Sequence, residues 1–171
     1  SQHVSINDAL RTAVTSPQTA AYIRVHGDYH LGQILITPES QRIEVIDFEG
    51  EPQKTLTERR RKTSVYKDLA GMSRSFDYLC SQARFQADRT GTAQYSATEL
   101  VRTFLEAYET ESEGACFYPD NEKNRMALLN AYMLDKAIYE LGYEIHYRPD
   151  WIDVPVRALE TFLDTGSLLH T

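Results

Sequence analysis

The chain is short of cysteine, of glycine and of positive charge, and each shortage excludes something. Of 171 residues only 2 are cysteines, Cys80 and Cys116. Their spacing fits no metal or disulfide framework; one bridge between them stays open, and free thiols in a reducing cytoplasm are the expected state. Glycines number 8, and nowhere do they form a G-x-G-x-x-G or P-loop pattern that would cradle phosphates. Lys and Arg total 18 against 25 Asp and Glu, a formal net charge of −7. That balance argues against nucleic acid or an anionic membrane as the main partner. The run Arg59-Arg60-Arg61-Lys62 is a local exception, read as a solvated loop or a contact with phosphate or an adjoining domain. No apolar run approaches the roughly 18 residues needed to span a bilayer. A signal-peptide pattern is also lacking, so a cytoplasmic protein without a membrane partner is expected.

What is present divides into a short β portion and a long helical one. Ser5 to Val14 reads as a helix, broken at Ser16-Pro17. Tyr22–Val25, Ile34–Thr37 and Arg42–Phe48 read as strands, the last two joined by the turn Pro38-Glu39-Ser40-Gln41. A charged, irregular connection over 49–63 follows. Val65, Leu69, Met72, Phe76 and Leu79 step by four, three, four and three, predicting an amphipathic helix of about 20 residues. A polar loop over 87–95 leads to Ser96, an N-cap with Glu99 three residues on. That helix runs to about Ser112. A third runs from Pro119-Asp120 to Tyr147, where Arg148-Pro149-Asp150 stops it. A last one, Val154–Leu163, ends at Gly166. The order predicts an α+β, mostly α chain: one small hairpin and about four to five helices.

The chemistry concentrates in IRVHGDYHLGQILITPESQRIEVIDFEGEP, residues 23–52. Asp28 follows Gly27 at a strand-to-loop junction, and Asp47 ends the apolar strand IEVID. A carboxylate there is costly without a cation or several hydrogen bonds. Two carboxylates and the Gln33 amide suit a hard cation such as Mg²⁺, which takes oxygen ligands and keeps waters for phosphates.

HGDYHLGQ followed by IDFEGEP resembles the catalytic and metal loops of the aminoglycoside-phosphotransferase-like kinases, relatives of protein kinases. Gln33 and the DFEGEP ending resemble the maltokinase branch, including copies fused to trehalose synthase. ERRR at 58–61, DLAGMSRSFDY at 68–78, LDKAIYELGYE at 134–144 and RPDW at 148–151 agree with it. The resemblance implies that Asp28 is the catalytic base, and that Gln33, Asp47 and Glu49 bind Mg²⁺ against the phosphates of ATP. It implies that His26 ties the two loops together, that His30 does likewise or touches substrate, and that Glu51 joins the metal shell or binds sugar hydroxyls. In such transfers the protein positions groups and neutralises charge.

Two helices carry readings of their own. Asp68 lies at the edge of the apolar face of its helix. It is read either as a first-turn acid favoured by the helix dipole or as an acceptor for backbone N–H groups of the HGD loop. On the third long helix, Leu134, Ile138, Leu141 and Ile145 cluster on one side. Tyr132, Lys136, Tyr139 and Tyr143 cluster nearly opposite. The first stripe reads as core; the second reads as a packing face or, with phenols and an ammonium, a sugar site. Joined to the resemblance, it predicts that Lys136, Tyr139, Glu140, Tyr143 and Trp151 frame a disaccharide pocket facing Asp28, with Arg157 a weaker candidate.

Residues 1–171 thus resemble the C-terminal lobe of a protein-kinase-like fold, without the N-terminal lobe that clamps ATP. The resemblance implies a piece of an ATP- and Mg²⁺-dependent maltokinase forming maltose 1-phosphate, inactive alone, with a trehalose synthase domain as partner in cis or trans. Two rivals stand beside it. One is a related kinase of aminoglycoside or choline type, which an acidic pocket would favour. The other is a non-catalytic sugar-binding or docking module on trehalose synthase.

Overall fold

The computed structural model describes residues 20–40, 42–90, 96–119 and 121–169, with side chains omitted at 85–90. The helix expected at Ser5–Val14 lies outside the described residues. Two antiparallel strands, β1 (Ile34–Thr37) and β2 (Arg42–Val45), form a hairpin in which Ile34 pairs with Val45 and Thr37 with Arg42. Helices follow: α1 (Leu56–Arg59), α2 (Tyr66–Thr90), α3 (Ala97–Glu111), α4 (Glu122–Tyr147) and α5 (Asp153–Thr165). The fold is α+β and mostly helical. Among the described residues no helix is long and apolar enough to cross a membrane, and Cys116 is an exposed free thiol.

Local chemistry sets the boundaries. Ser96 and Glu99 form a reciprocal capping box at the start of α3, as their spacing predicts, and Thr55 with Glu58 forms another at α1. The latter gives the connection over 49–63 a helical turn that its charge pattern concealed. Asn121 caps α4, one residue past the expected start. Helix α5 ends at Gly166, in a left-handed conformation. The expected strand at Tyr22–Val25 shrinks to a single bridge from Ile23 to Thr63. Strand β2 stops at Val45 rather than Phe48, because Asp47 takes a φ of 61°, which no strand tolerates.

The core lies where α2 and α4 pack, with α3 and α5 on its flanks. Leu69, Leu129, Met133, Leu134 and Phe162 are buried at its centre. Two predicted stripes are rotated from expectation. On α2, Leu79 is 45% exposed, and Ser73 and Arg74 are buried instead. On α4, Ile138 and Ile145 are exposed while Ala137, Glu140 and Glu144 are buried. The apolar seam therefore covers only one end of the α2–α4 contact, and polar groups fill the other.

Gly71 on α2 is required by a close approach. A Cβ there would stand 2.6 Å from the carbonyl oxygen of Tyr29, whereas one at Gly142 on α4 meets nothing within 4 Å. Gly71→Ala should lower stability by about 1–3 kcal/mol through that clash. Gly142→Ala should raise it by up to about 1 kcal/mol through helix propensity. Melting temperatures of the two variants, moving in opposite directions, check this.

Candidate active site

The segment from His26 to Leu31 has no sheet to hold it, and α2 holds it instead. The two carboxylate oxygens of Asp68 accept the backbone N–H groups of His26 (2.7 Å) and Gly27 (2.9 Å). Two turns on, Ser75 Oγ accepts the Leu31 N–H at 2.9 Å. Between them Gly71 lets the Tyr29 backbone lie directly on the helix. Burial pushes the Asp68 carboxyl up from its ordinary value, and the two N–H groups oppose that shift.

A second contact joins this loop to the segment after β2. His26 Nε2 lies 2.7 Å from the Ile46 carbonyl oxygen and donates to it, leaving Nδ1 to accept the Asp28 N–H at 3.4 Å. Its ring packs on Phe48, with centroids 4.8 Å apart. Gly27, at a φ of 89°, lies against Gly50, whose Cα would be 3.2 Å from a Cβ at position 27. The loops carrying Asp28 and Asp47 are thereby clamped face to face.

Within that clamp, Gln33 Nε2 lies 3.3 Å from Asp47 Oδ2, while the Ile46 N–H donates to the Gln33 carbonyl at 3.0 Å. With its side-chain amide turned over, Gln33 presents a second oxygen beside that carboxylate. The pair fits a hard cation that completes its shell with water and phosphate. Glu49, expected in the same shell, is exposed and makes no hydrogen bond or ion pair among the described residues. No cluster of three or more His, Cys, Asp or Glu that could hold a metal occurs among them either.

Asp28 Oδ1 accepts a hydrogen bond from Lys136 Nζ at 3.2 Å, and Oδ2 makes none among the described residues. Both residues line a cleft of about 530 Å³, together with His30, Tyr139, Glu140 and Tyr143. His30 Nδ1 accepts the Gly32 N–H at 3.1 Å, and burial lowers the proton affinity of its ring. Lys136 Nζ stands 5.1 Å from the centre of the Tyr139 ring.

The back of the cleft is ionic. Arg74, 1% exposed, donates through Nε and Nη2 to Glu140 Oε2 at 2.9 and 2.7 Å, and through Nη1 to Asp77 at 2.5 Å. Tyr78 (3.0 Å) and Arg148 (2.6 Å) both donate to Glu144 Oε1. Glu144 Oε2 is buried with no hydrogen-bond partner. A buried carboxylate oxygen without a donor is a place for a cation or a strong donor.

Several expectations change. Trp151 stacks on Tyr78, with centroids 6.1 Å apart, and is absent from the cleft lining; Arg148 covers it instead. Tyr132 packs on the core and stands 3.4 Å from the Thr63 hydroxyl, outside the cleft. Arg157 lines a separate hollow. Arg59 donates to the carbonyls of Lys54 (2.8 Å) and Pro52 (2.9 Å), bracing the loop after Asp47. The sequence reading missed Arg74, Tyr78, Glu144 and Arg148. Asp68, Gly71, Ser75 and Tyr78 recur at helical spacing, and that polar stripe was the available signal.

No protein-family model matches the chain. It is 31% identical over 147 residues, 83% of its length, to a glucosamine kinase of Mycolicibacterium smegmatis. It is 29% identical over 146 residues to a glucosamine kinase of Streptacidiphilus jiangxiensis. The chain spans about a third of the length of these relatives, 35% and 32%. In structure it resembles a crystal form of glucosamine kinase with a TM-score of 0.72 at 24% identity, covering 92% of this chain and 37% of that one. It also resembles a glucosamine kinase in complex with glucosamine, ADP and inorganic phosphate, with a TM-score of 0.69 at 22% identity over 93% of this chain and 46% of that one. These similarities are to kinases of a monosaccharide amine, where the motif resemblance implied maltose.

The Arg74–Glu140 pair generates a stability prediction. Arg74→Met leaves Glu140 buried and uncompensated and should cost about 3–5 kcal/mol, while Arg74→Met with Glu140→Leu should recover most of it. Burial already pushes the Glu140 carboxyl up, against the pull of Arg74. Without the guanidinium the deficit is greatest above the folded value of that acid. It shrinks as pH falls through that value and a proton neutralises the carboxylate. Urea unfolding at a series of pH values measures both effects.

Proposed function

We propose that the chain is the acceptor-binding, catalytic lobe of an ATP-dependent kinase whose acceptor is a small amino sugar of the glucosamine class. The observation carrying this reading is the unpartnered, buried Oε2 of Glu144, a residue that lines the same cleft as Asp28. An ammonium group answers such an oxygen; the neutral hydroxyls of maltose answer it less well. Asp28, Glu140 and Glu144 line the cleft against Lys136 and Arg148, an excess of one negative charge that favours a cationic acceptor, and the similarity to glucosamine kinases over most of the chain supports the same choice. At about 530 Å³ the cleft is within the ordinary size of small-ligand sites, about 300–1,000 Å³.

In this reading Asp28 Oδ2 orients the acceptor hydroxyl and takes its proton, while Oδ1 stays tied to Lys136. Gln33 and Asp47 hold Mg²⁺, which when bound neutralises charge on the nucleotide phosphates. Tyr139 and Tyr143 offer flat apolar surface to the sugar ring. His26 and Asp68 keep the catalytic loop in place. Leu35, Ile36, Ile43 and Phe48 are exposed on and beside the hairpin. A two-stranded hairpin is marginal alone, and we read the face that Ile36 shares with its cross-strand partner Ile43 as the seat of the lobe that grips ATP. Maltose remains the second reading, supported by the HGDYHLGQ and DFEGEP motifs; trehalose synthase as partner has no further support.

The test is phosphoryl transfer by the full-length protein with Mg²⁺ and ATP, comparing glucosamine, glucose and maltose. Glucosamine should be preferred, and Asp28→Asn should lower kcat about 10²- to 10⁴-fold. Glu144→Gln should raise the KM for glucosamine about tenfold or more with little effect on glucose, the weight of one charged hydrogen bond. Preference for maltose, or an Asp28→Asn enzyme with unchanged kcat, would overturn the assignment.

A further inference from the structure

Glu51 is surrounded by more cations than one carboxylate needs. It is 8% exposed. Its Oε2 lies 2.5 Å from Lys54 Nζ and 3.7 Å from Lys67 Nζ, and its Oε1 lies 3.8 Å from Lys136 Nζ. The three lysines come from its own loop, from α2 and from α4. A sugar ligand or a metal ligand would keep its oxygens open to the cleft, whereas those of Glu51 are turned into this cage. Lys136 is shared, because the same ammonium hydrogen-bonds Asp28 at 3.2 Å.

The distances decide how it is shared. A buried carboxylate with no other cation would draw Lys136 off Asp28, whose side chain is 21% exposed against 10% for Glu51, since Coulomb attraction strengthens as water is excluded. Lys54 and Lys67 already answer most of the charge on Glu51. Lys136 is therefore nearer Asp28 than Glu51, while Glu51 still restrains it from behind. We propose that Glu51 is a positioning residue that acts through Lys136 to fix the rotation of the Asp28 carboxylate, one oxygen tied and the other open to the cleft. The proposal rests on the reading of Asp28 as the base.

The experiment is a kinetic cycle in the full-length protein with ATP, Mg²⁺ and glucosamine. Glu51→Gln should lower kcat about tenfold, leaving the KM for glucosamine and the Mg²⁺ requirement within about threefold. Glu51→Asp, which keeps the charge, should recover most of kcat. Combined with Lys136→Met, Glu51→Gln should add little to the single Lys136→Met loss, because both changes remove one interaction. Where Glu51→Gln gives poorly folded protein, Glu51→Gln with Lys54→Gln, which also removes the cation left nearest the lost carboxylate, carries the same cycle. Multiplicative losses, a raised Mg²⁺ requirement, or a wild-type kcat in Glu51→Gln would each overturn the proposal. An Asp28→Asn control separates the two levels: if it is inactive while Glu51→Gln is wild-type, only Glu51 is misread. If it is fully active, the base assignment beneath it fails.

Discussion

Everything at the cleft hangs on one carboxylate, that of Asp68. The residues carrying Asp28 lie in a loop whose backbone finds no ladder of its own. Left unbonded, two half-buried N–H groups would cost free energy comparable to lost hydrogen bonds. Asp68 accepts both, one on each oxygen. With that fixed, Gly71 lets the chain lie on α2, Ser75 takes the next N–H, and His26 reaches across to Ile46. The position of Asp28 over α4, and of Asp47 beside Gln33, follows from this seating. Asp28 and Asp47 sit on loops, but a helix sets their geometry.

The contact between α2 and α4 has two halves with different duties. One is apolar, around Leu69, Met133 and Leu134, and supplies ordinary burial energy. The other is ionic, around Arg74, Glu140 and Glu144, and gains little stability once desolvation is counted. Its value is to line a cleft with carboxylates of fixed orientation. The charges at the cleft edge follow the same logic, with Asp28 held by Lys136 of α4 and Glu140 by Arg74 of α2.

The sequence disclosed what is local and withheld what depends on helix facing. Asp28, Gln33 and Asp47 are found from a contiguous motif, because short polar spacings within 23–52 fix their neighbourhood. The Ser96 cap and the stop at Gly166 were equally legible. Glu140 was named, but its partner Arg74 lies 66 residues away on another helix. No period along either helix reveals that two buried polar stripes meet. The same rotation exposed Ile138 and Ile145, which a helical wheel had placed in the core. Trp151 was assigned to the sugar by its chemistry, yet Tyr78 and Arg148 engage it first. The choice of maltose failed to anticipate the similarity to glucosamine kinases for a related reason. The HGD and DFE motifs carry the resemblance to kinases in general, whereas the side chains that α2 and α4 bring to the cleft are the ones proposed to read the acceptor.

The most direct test is a structure of the full-length protein with glucosamine, Mg²⁺ and a non-hydrolysable ATP analogue. An acceptor hydroxyl should lie about 2.6–3.2 Å from Asp28 Oδ2, with the sugar ammonium on Glu144 Oε2 and Lys136 still on Oδ1. Glucosamine bound outside this cleft, or its hydroxyl against a carboxylate other than Asp28, would contradict this arrangement.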